Sequence, residues 1–186
     1  MKRIIALLLA FALALPCIGC GKKPGIPVNA LSWVWEGQAL DGHNYMVFQM
    51  TNSSNVAIES VTMTYQLIEA TTQEQKEQKE QFLKALQESQ GFTDAFMQDY
   101  LQKLKENGNQ IKLIASIYTA LEPGETSDLQ QCYYMGGWTS RDLIYVDLFT
   151  PVSLYLTYEK NGKTYGQTYD FRSEKYTVAP VEAQQQ

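Results

Sequence analysis

A mainly β fold, an antiparallel sandwich interrupted by one helical hairpin, follows from three features of the 186-residue sequence. Short segments that alternate apolar with polar residues recur on both sides of a single helix-forming block, which is the pattern of half-buried strands. Because that block occurs once, the repeated βα units of a parallel sheet are missing. Turn signals such as Asn161-Gly162 separate the strand segments at short spacing, as antiparallel connections do.

At the N-terminus Lys2 and Arg3 precede an uninterrupted apolar run over residues 4–15, the length of a signal h-region and too short to span a bilayer. Pro16 ends the run, and Cys17-Ile18-Gly19-Cys20 follows. This stretch resembles the lipobox of bacterial lipoproteins, in which a small residue precedes the cleaved bond and the next residue is a cysteine whose thiol accepts diacylglycerol. Gly19 and Cys20 meet both demands, and Cys17 stands where the pattern usually has Leu. The resemblance implies a signal peptide over 1–19, lipidation at Cys20, and a protein held by its lipid on the extracytoplasmic face of the cell membrane. Residues 20–30, rich in Gly, Pro and Lys, read as a tether. The folded domain is expected over 31–178 and a disordered tail over 179–186.

Strands are predicted over 32–37 (SWVWEG), 44–52 (NYMVFQMTN) and 58–69 (IESVTMTYQLIE). Trp33 and Trp35 share one face and read as core. So do Met46, Phe48 and Met50 in the second segment and Val61, Met63, Tyr65 and Leu67 in the third. The pattern then changes to a helical insert over 71–109. Thr71 and Glu74 have capping-box spacing, and Phe82, Leu83 and Leu86 are the apolar positions of the first helix. Gly91 breaks it. A second helix should start at Thr93, with Phe92 and Met97 spaced as a hydrophobic staple, a stripe of Met97, Leu101 and Leu104, and an end by Gly108. So polar and Gln-rich a hairpin is expected to lie outside the core.

Beyond the insert, residues 111–121 read as a strand, 122–125 (EPGE) as a turn, 132–135 (CYYM) as part of a strand, and 136–142 (GGWTSRD) as a loop. Strands are predicted again at 143–149 and 152–160, parted by Thr150 and Pro151, with Asn161-Gly162 leading into a last one at 164–171. Residues 47–69, followed after the insert by 121–127 (LEPGETS), resemble the immunoglobulin-like domains of bacterial surface lipoproteins of the FxLYD kind. Those domains pair a strand ending in an Asn-containing turn with a strand of alternating Val and Thr, then a Pro-Gly turn. The resemblance implies an immunoglobulin-like antiparallel β-sandwich and an accessory or binding role. The helical insert departs from that pattern.

Formal charge is −5 and becomes −7 if Lys2 and Arg3 leave with the signal peptide. With no basic block, nucleic acid is not an expected partner, since phosphate binding needs clustered Lys and Arg. After lipidation and cleavage Cys132 is the one remaining thiol, so no disulfide is expected within the domain, and its apolar setting reads as packing. His43, the single histidine, lies in a turn-like Asp41-Gly42-His43-Asn44 and reads as solvated. One His and one Cys supply neither a catalytic triad nor a zinc site well, so no metal and no cofactor is expected. No phosphate loop, nucleophile elbow or calcium loop is present in the sequence.

Aromatic residues are the richer signal. Trp138, in a glycine-rich loop near Arg141 and Asp142, is the candidate ligand contact, whereas Tyr133, Tyr145, Tyr155 and Tyr158 read as ordinary strand residues. The expectation is a non-catalytic binding or accessory module that takes an envelope protein or glycan. The alternative is a cell-wall polymer hydrolase or its accessory domain. Carboxylates gathered in a deep cleft would favour the enzyme; an exposed aromatic patch would favour binding.

Overall fold

The computed structural model describes residues 25–135 and 137–181. The chain is mixed α/β and mostly antiparallel β, with a three-stranded sheet, a seven-stranded sheet and two helices inserted between strands. The expected signal peptide, Cys20 and residues 182–186 lie outside the described residues.

β1 (Leu31–Leu40) and β2 (His43–Asn52) form a ladder closed by Asp41-Gly42, both at positive φ (49° and 79°), which matches the right-handed twist of a two-residue hairpin. The turn into β3 (Ile58–Leu67) is organised by buried Asn52. Its Nδ2 donates to the carbonyls of Val56 and Leu121, and its Oδ1 accepts from the backbone N and the hydroxyl of Ser54.

α1 (Gln73–Gln90) and α2 (Asp94–Glu106) follow. The first cap is Thr72 with Gln75 as its reciprocal partner, one residue beyond the expected Thr71 and Glu74. Gly91 ends α1 in the left-handed region (φ 66°), and Thr93 caps α2 as its sequence predicts. β4 (Lys112–Ile117) returns antiparallel beside β3, Gln66 opposite Lys112, so the hairpin joins two neighbouring strands.

β5 (Gln130–Gln131), β6 (Tyr133–Tyr134) and β7 (Trp138–Thr139) are two-residue pieces, and β8 (Phe149–Lys160), β9 (Lys163–Asp170) and β10 (Lys175–Pro180) form a meander. The sheets run β1-β2-β5 and β10-β9-β8-β3-β4-β6-β7. Where a strand was expected at 143–149 the chain instead makes a 3-10 turn over Val146–Leu148, and β8 begins at Phe149 and runs through Pro151. The proline is tolerated because the β3–β8 register shifts there: Thr64 opposes Ser153 and Tyr65 opposes Pro151, leaving Val152 as the extra residue.

One core takes side chains from both sheets. Met46, Phe48 and Met50 of β2 join Val61, Met63, Tyr65 and Leu67 of β3, the faces their alternation predicts, with Leu113, Ala115 and Ile117 of β4 and Leu154, Leu156 and Tyr158 of β8. Trp35 stacks on Tyr65 at 3.6 Å between ring centroids.

Three further expectations are corrected. The helices are not outside the core: Phe82, Leu86 and Met97 are buried in it, while Leu83, Leu101 and Leu104 pack only partly. Nor does the packed chain begin at Leu31. Ile26 is buried, its N–H donates to Gln167 Oε1 at 2.8 Å and its carbonyl accepts from Gln167 Nε2 at 2.7 Å, so residues 26–30 belong to the domain rather than to a tether. At the other end β10 reaches Pro180, two residues into the expected tail.

Candidate functional site

Period-two alternation along β4 buries Leu113, Ala115 and Ile117 and turns Ile114 and Ser116 outward. Tyr118, next on the outward face, leaves the strand 83% exposed. The chain comes back as β5, which pairs with β2 (Val47 opposite Gln131). Two residues later, as β6, it pairs with β4 (Ile114 opposite Tyr133). Residues 130–134 therefore stitch the two sheets together, with Cys132 buried at the seam and its N–H donating to the Met46 carbonyl at 2.8 Å. Burial pushes the Cys132 thiol up to about 12, so it is a packed group rather than a nucleophile.

Between β4 and this stitch runs an open groove of about 490 Å³. Ile114, Ser116 and Tyr118 form one side, Gln130, Gln131 and Tyr133 the other, and Tyr134, Met135 and Gly137 complete it. Tyr133 and Met135 are about half exposed. The lining carries no charged side chain. Tyr133 Oη donates to Gln131 Oε1 at 3.2 Å, and Gln131 Nε2 donates to Thr139 Oγ1 at 3.0 Å, so that amide is held in place at both ends. A second depression of about 300 Å³, bounded by Tyr100 and Leu104 of α2 and by Lys112, shares Met135 with the first. The apolar surface thus continues from the sheet to the second helix. Covering the half of Met135 that is still exposed is worth on the order of 1 kcal/mol before the costs of association.

The three residues that the sequence offers as ligand contacts, Trp138, Arg141 and Asp142, do not line this groove. Trp138 is half-buried, its ring edge-on to Phe92 (4.8 Å) and Tyr100 (5.1 Å), where it fastens the helical hairpin to β7. Arg141 and Asp142 come together at His43 instead. Asp142 accepts from the Asn44 N–H at 3.0 Å and lies 3.2 Å from His43 Nδ1, while the Arg141 guanidinium meets His43 Nε2. The Asn44 N–H first, then His43 and Arg141, hold the Asp142 carboxyl below its ordinary range. His43 thus bridges the two, Nδ1 facing the Asp142 carboxylate and Nε2 the Arg141 guanidinium. With Nε2 already engaged by a guanidinium, the cluster is a clasp between the β1–β2 hairpin and the 140–142 loop, reinforced by the Asp142 N–H donating to the Asn44 carbonyl at 2.6 Å.

His43 is consequently hydrogen-bonded and opens β2, rather than standing free in a turn. Among the described residues no group of three or more His, Cys, Asp or Glu is placed to hold a metal. Sequence reasoning missed Tyr118 and Met135. The signal for Tyr118 was available, since it continues the outward set of Ile114 and Ser116. Compared with protein-family models, with curated proteins and with solved structures, the chain matches none.

Proposed function

We propose that this chain is a lipid-anchored, extracytoplasmic, non-catalytic binding module of the bacterial cell envelope, and that its ligand lies in the groove between β4 and the β5–β6 stitch. The observation that carries this reading is the gathering of Tyr118, Tyr133 and Met135, three of the large apolar side chains left exposed, around one groove without charge. Surface hydrophobes scattered singly need no explanation, whereas a contiguous set bounded by amides marks a contact surface. The partner is an envelope protein or glycan that presents an uncharged surface.

In this reading the two sheets are an immunoglobulin-like β-sandwich of the FxLYD kind with a helical hairpin grafted between β3 and β4. Support comes from how the two segments that carry the likeness meet: the Gly124 N–H donates to the Asn52 carbonyl at 2.6 Å, and the Asn52 N–H to the Glu125 carbonyl at 2.9 Å. The Asn turn and the Pro-Gly turn are thus one unit.

Retention of envelope components by the intact lipoprotein, set beside retention by a Tyr118→Ser/Tyr133→Ser variant, tests the function. Both tyrosines are substantially exposed, so the variant should fold and lose its partner. Equal retention by both proteins contradicts the groove. The anchor is tested separately: Cys20→Ser should abolish incorporation of labelled fatty acid, and label persisting in that variant contradicts lipidation at Cys20.

A further inference from the structure

β1 is the outer strand of the three-stranded sheet, and among the described residues no strand pairs with its far side. Its register on β2 fixes which backbone groups are free. The Ser53 N–H donates to the Ala30 carbonyl at 2.9 Å, one rung beyond the pair Leu31 and Asn52. Since hydrogen-bonded pairs recur at every second residue, the even-numbered residues of β1 bond to β2. The N–H and C=O groups of Leu31, Trp33, Trp35, Gly37 and Ala39 therefore point to the open edge.

Proteins normally blunt such edges with short strands, lysine, proline or bulges. The other outer strands follow that rule: β5 and β7 have two residues each, and β10 carries Lys175 and Pro180. β1 is ten residues long, has neither lysine nor proline, and pairs with β2 without a bulge.

Its central residues, Ser32-Trp33-Val34-Trp35-Glu36, are close to self-complementary. We infer that β1 pairs antiparallel with β1 of a second copy, about a twofold axis at Val34. Trp33 then faces Trp35 of the second copy, and both are residues whose backbone groups are free, so the ladder forms in the correct hydrogen-bonding phase. Val34, 47% exposed in the single chain, meets its own copy at the axis. Glu36 falls opposite Ser32. Moving the axis to Glu36 would set two carboxylates face to face, which selects against that register. The result is one sheet continuous through both copies, an isologous contact that closes on itself.

The test uses the full-length protein in detergent, with single cysteines placed along β1 and the unsubstituted chain as control. Val34→Cys should give a disulfide-linked dimer on mild oxidation. Ser32→Cys alone should link at least tenfold less, because its two copies lie about 14 Å apart in this register. A mixture of Ser32→Cys and Glu36→Cys chains should link to each other. Val34→Lys, at an exposed position, should leave the fold intact by circular dichroism and sediment as a monomer at micromolar concentrations where the unsubstituted chain is a dimer. An unsubstituted chain that sediments as a monomer at those concentrations overturns the inference, as does Ser32→Cys linking as readily as Val34→Cys.

Discussion

Phe82 of α1 meets Phe149 of β8 edge to face, ring centroids 5.5 Å apart and planes at 87°. The same ring contacts Tyr145 and Tyr134, and Phe82 is fully buried, so the first helix closes one end of the core. Phe82→Ala should therefore cost about 3–5 kcal/mol, the range for removing a buried aromatic. Replacing residues 71–110 by a short Gly/Ser turn should abolish the cooperative melt, although the strands it joins are neighbours. Thermal unfolding checks both; a deletion protein that melts as sharply as the intact one would show that α1 is dispensable.

Gln167 of β9 bonds to both the N–H and the carbonyl of Ile26, 141 residues away, and is itself buried. Gln167→Ala leaves those backbone groups unpaired. The expected loss is about 1–3 kcal/mol in chemical denaturation, together with faster proteolysis around Ile26. Unchanged protection of that segment would contradict its place in the domain.

Cys132 should resist thiol reagents at neutral pH until the protein unfolds, because burial disfavours its thiolate. Its folded pKa is raised from 9.0 to about 12, so its contribution to stability is complete below pH 9 and is lost as pH rises towards 12. The buried hydroxyls of Tyr65 and Tyr134 are also raised, mainly by desolvation, and act with the same sign at slightly higher pH. Melting temperature should fall through the alkaline range, and Cys132→Ala should flatten its onset. Rapid labelling of the folded chain at neutral pH would contradict this packing.

Local signals in the sequence were legible where one short-range rule decided the structure. Asn161-Gly162 forms its hairpin with both residues at positive φ, Gly91 and Thr93 delimit the helices, and the alternating faces of β2 and β3 are those found in the core. What stayed hidden depends on contacts distant in the chain. A Gln-rich helix reads as solvated because most of its faces are, yet Phe82 and Leu86 suffice to seat it against the sheet. Residues 143–149 have strand composition, but a 3-10 turn forms over Val146–Leu148, with Tyr145 just before it against Phe82 and Leu148 buried in the core. Trp138 reads as an exposed platform in a glycine-rich loop, and only the arrival of Phe92 and Tyr100 from the hairpin covers it. Arg141 and Asp142 find His43 across 98 and 99 residues of sequence. The groove has no local motif, since it exists only where residues 130–134 cross between sheets.

Entry of a partner into the groove is read at the methyl resonance of Met135. Met135 is 52% exposed in the lining, while Met46, Met50 and Met63 are fully buried and serve as internal controls. Carbon-13 methyl spectra of the protein, recorded as solubilised envelope material is added, should show the Met135 signal shifting or broadening while the three buried methionines stay in place. A partner that binds, as judged by co-purification, and leaves Met135 unmoved would contradict binding in the groove and place the contact surface elsewhere.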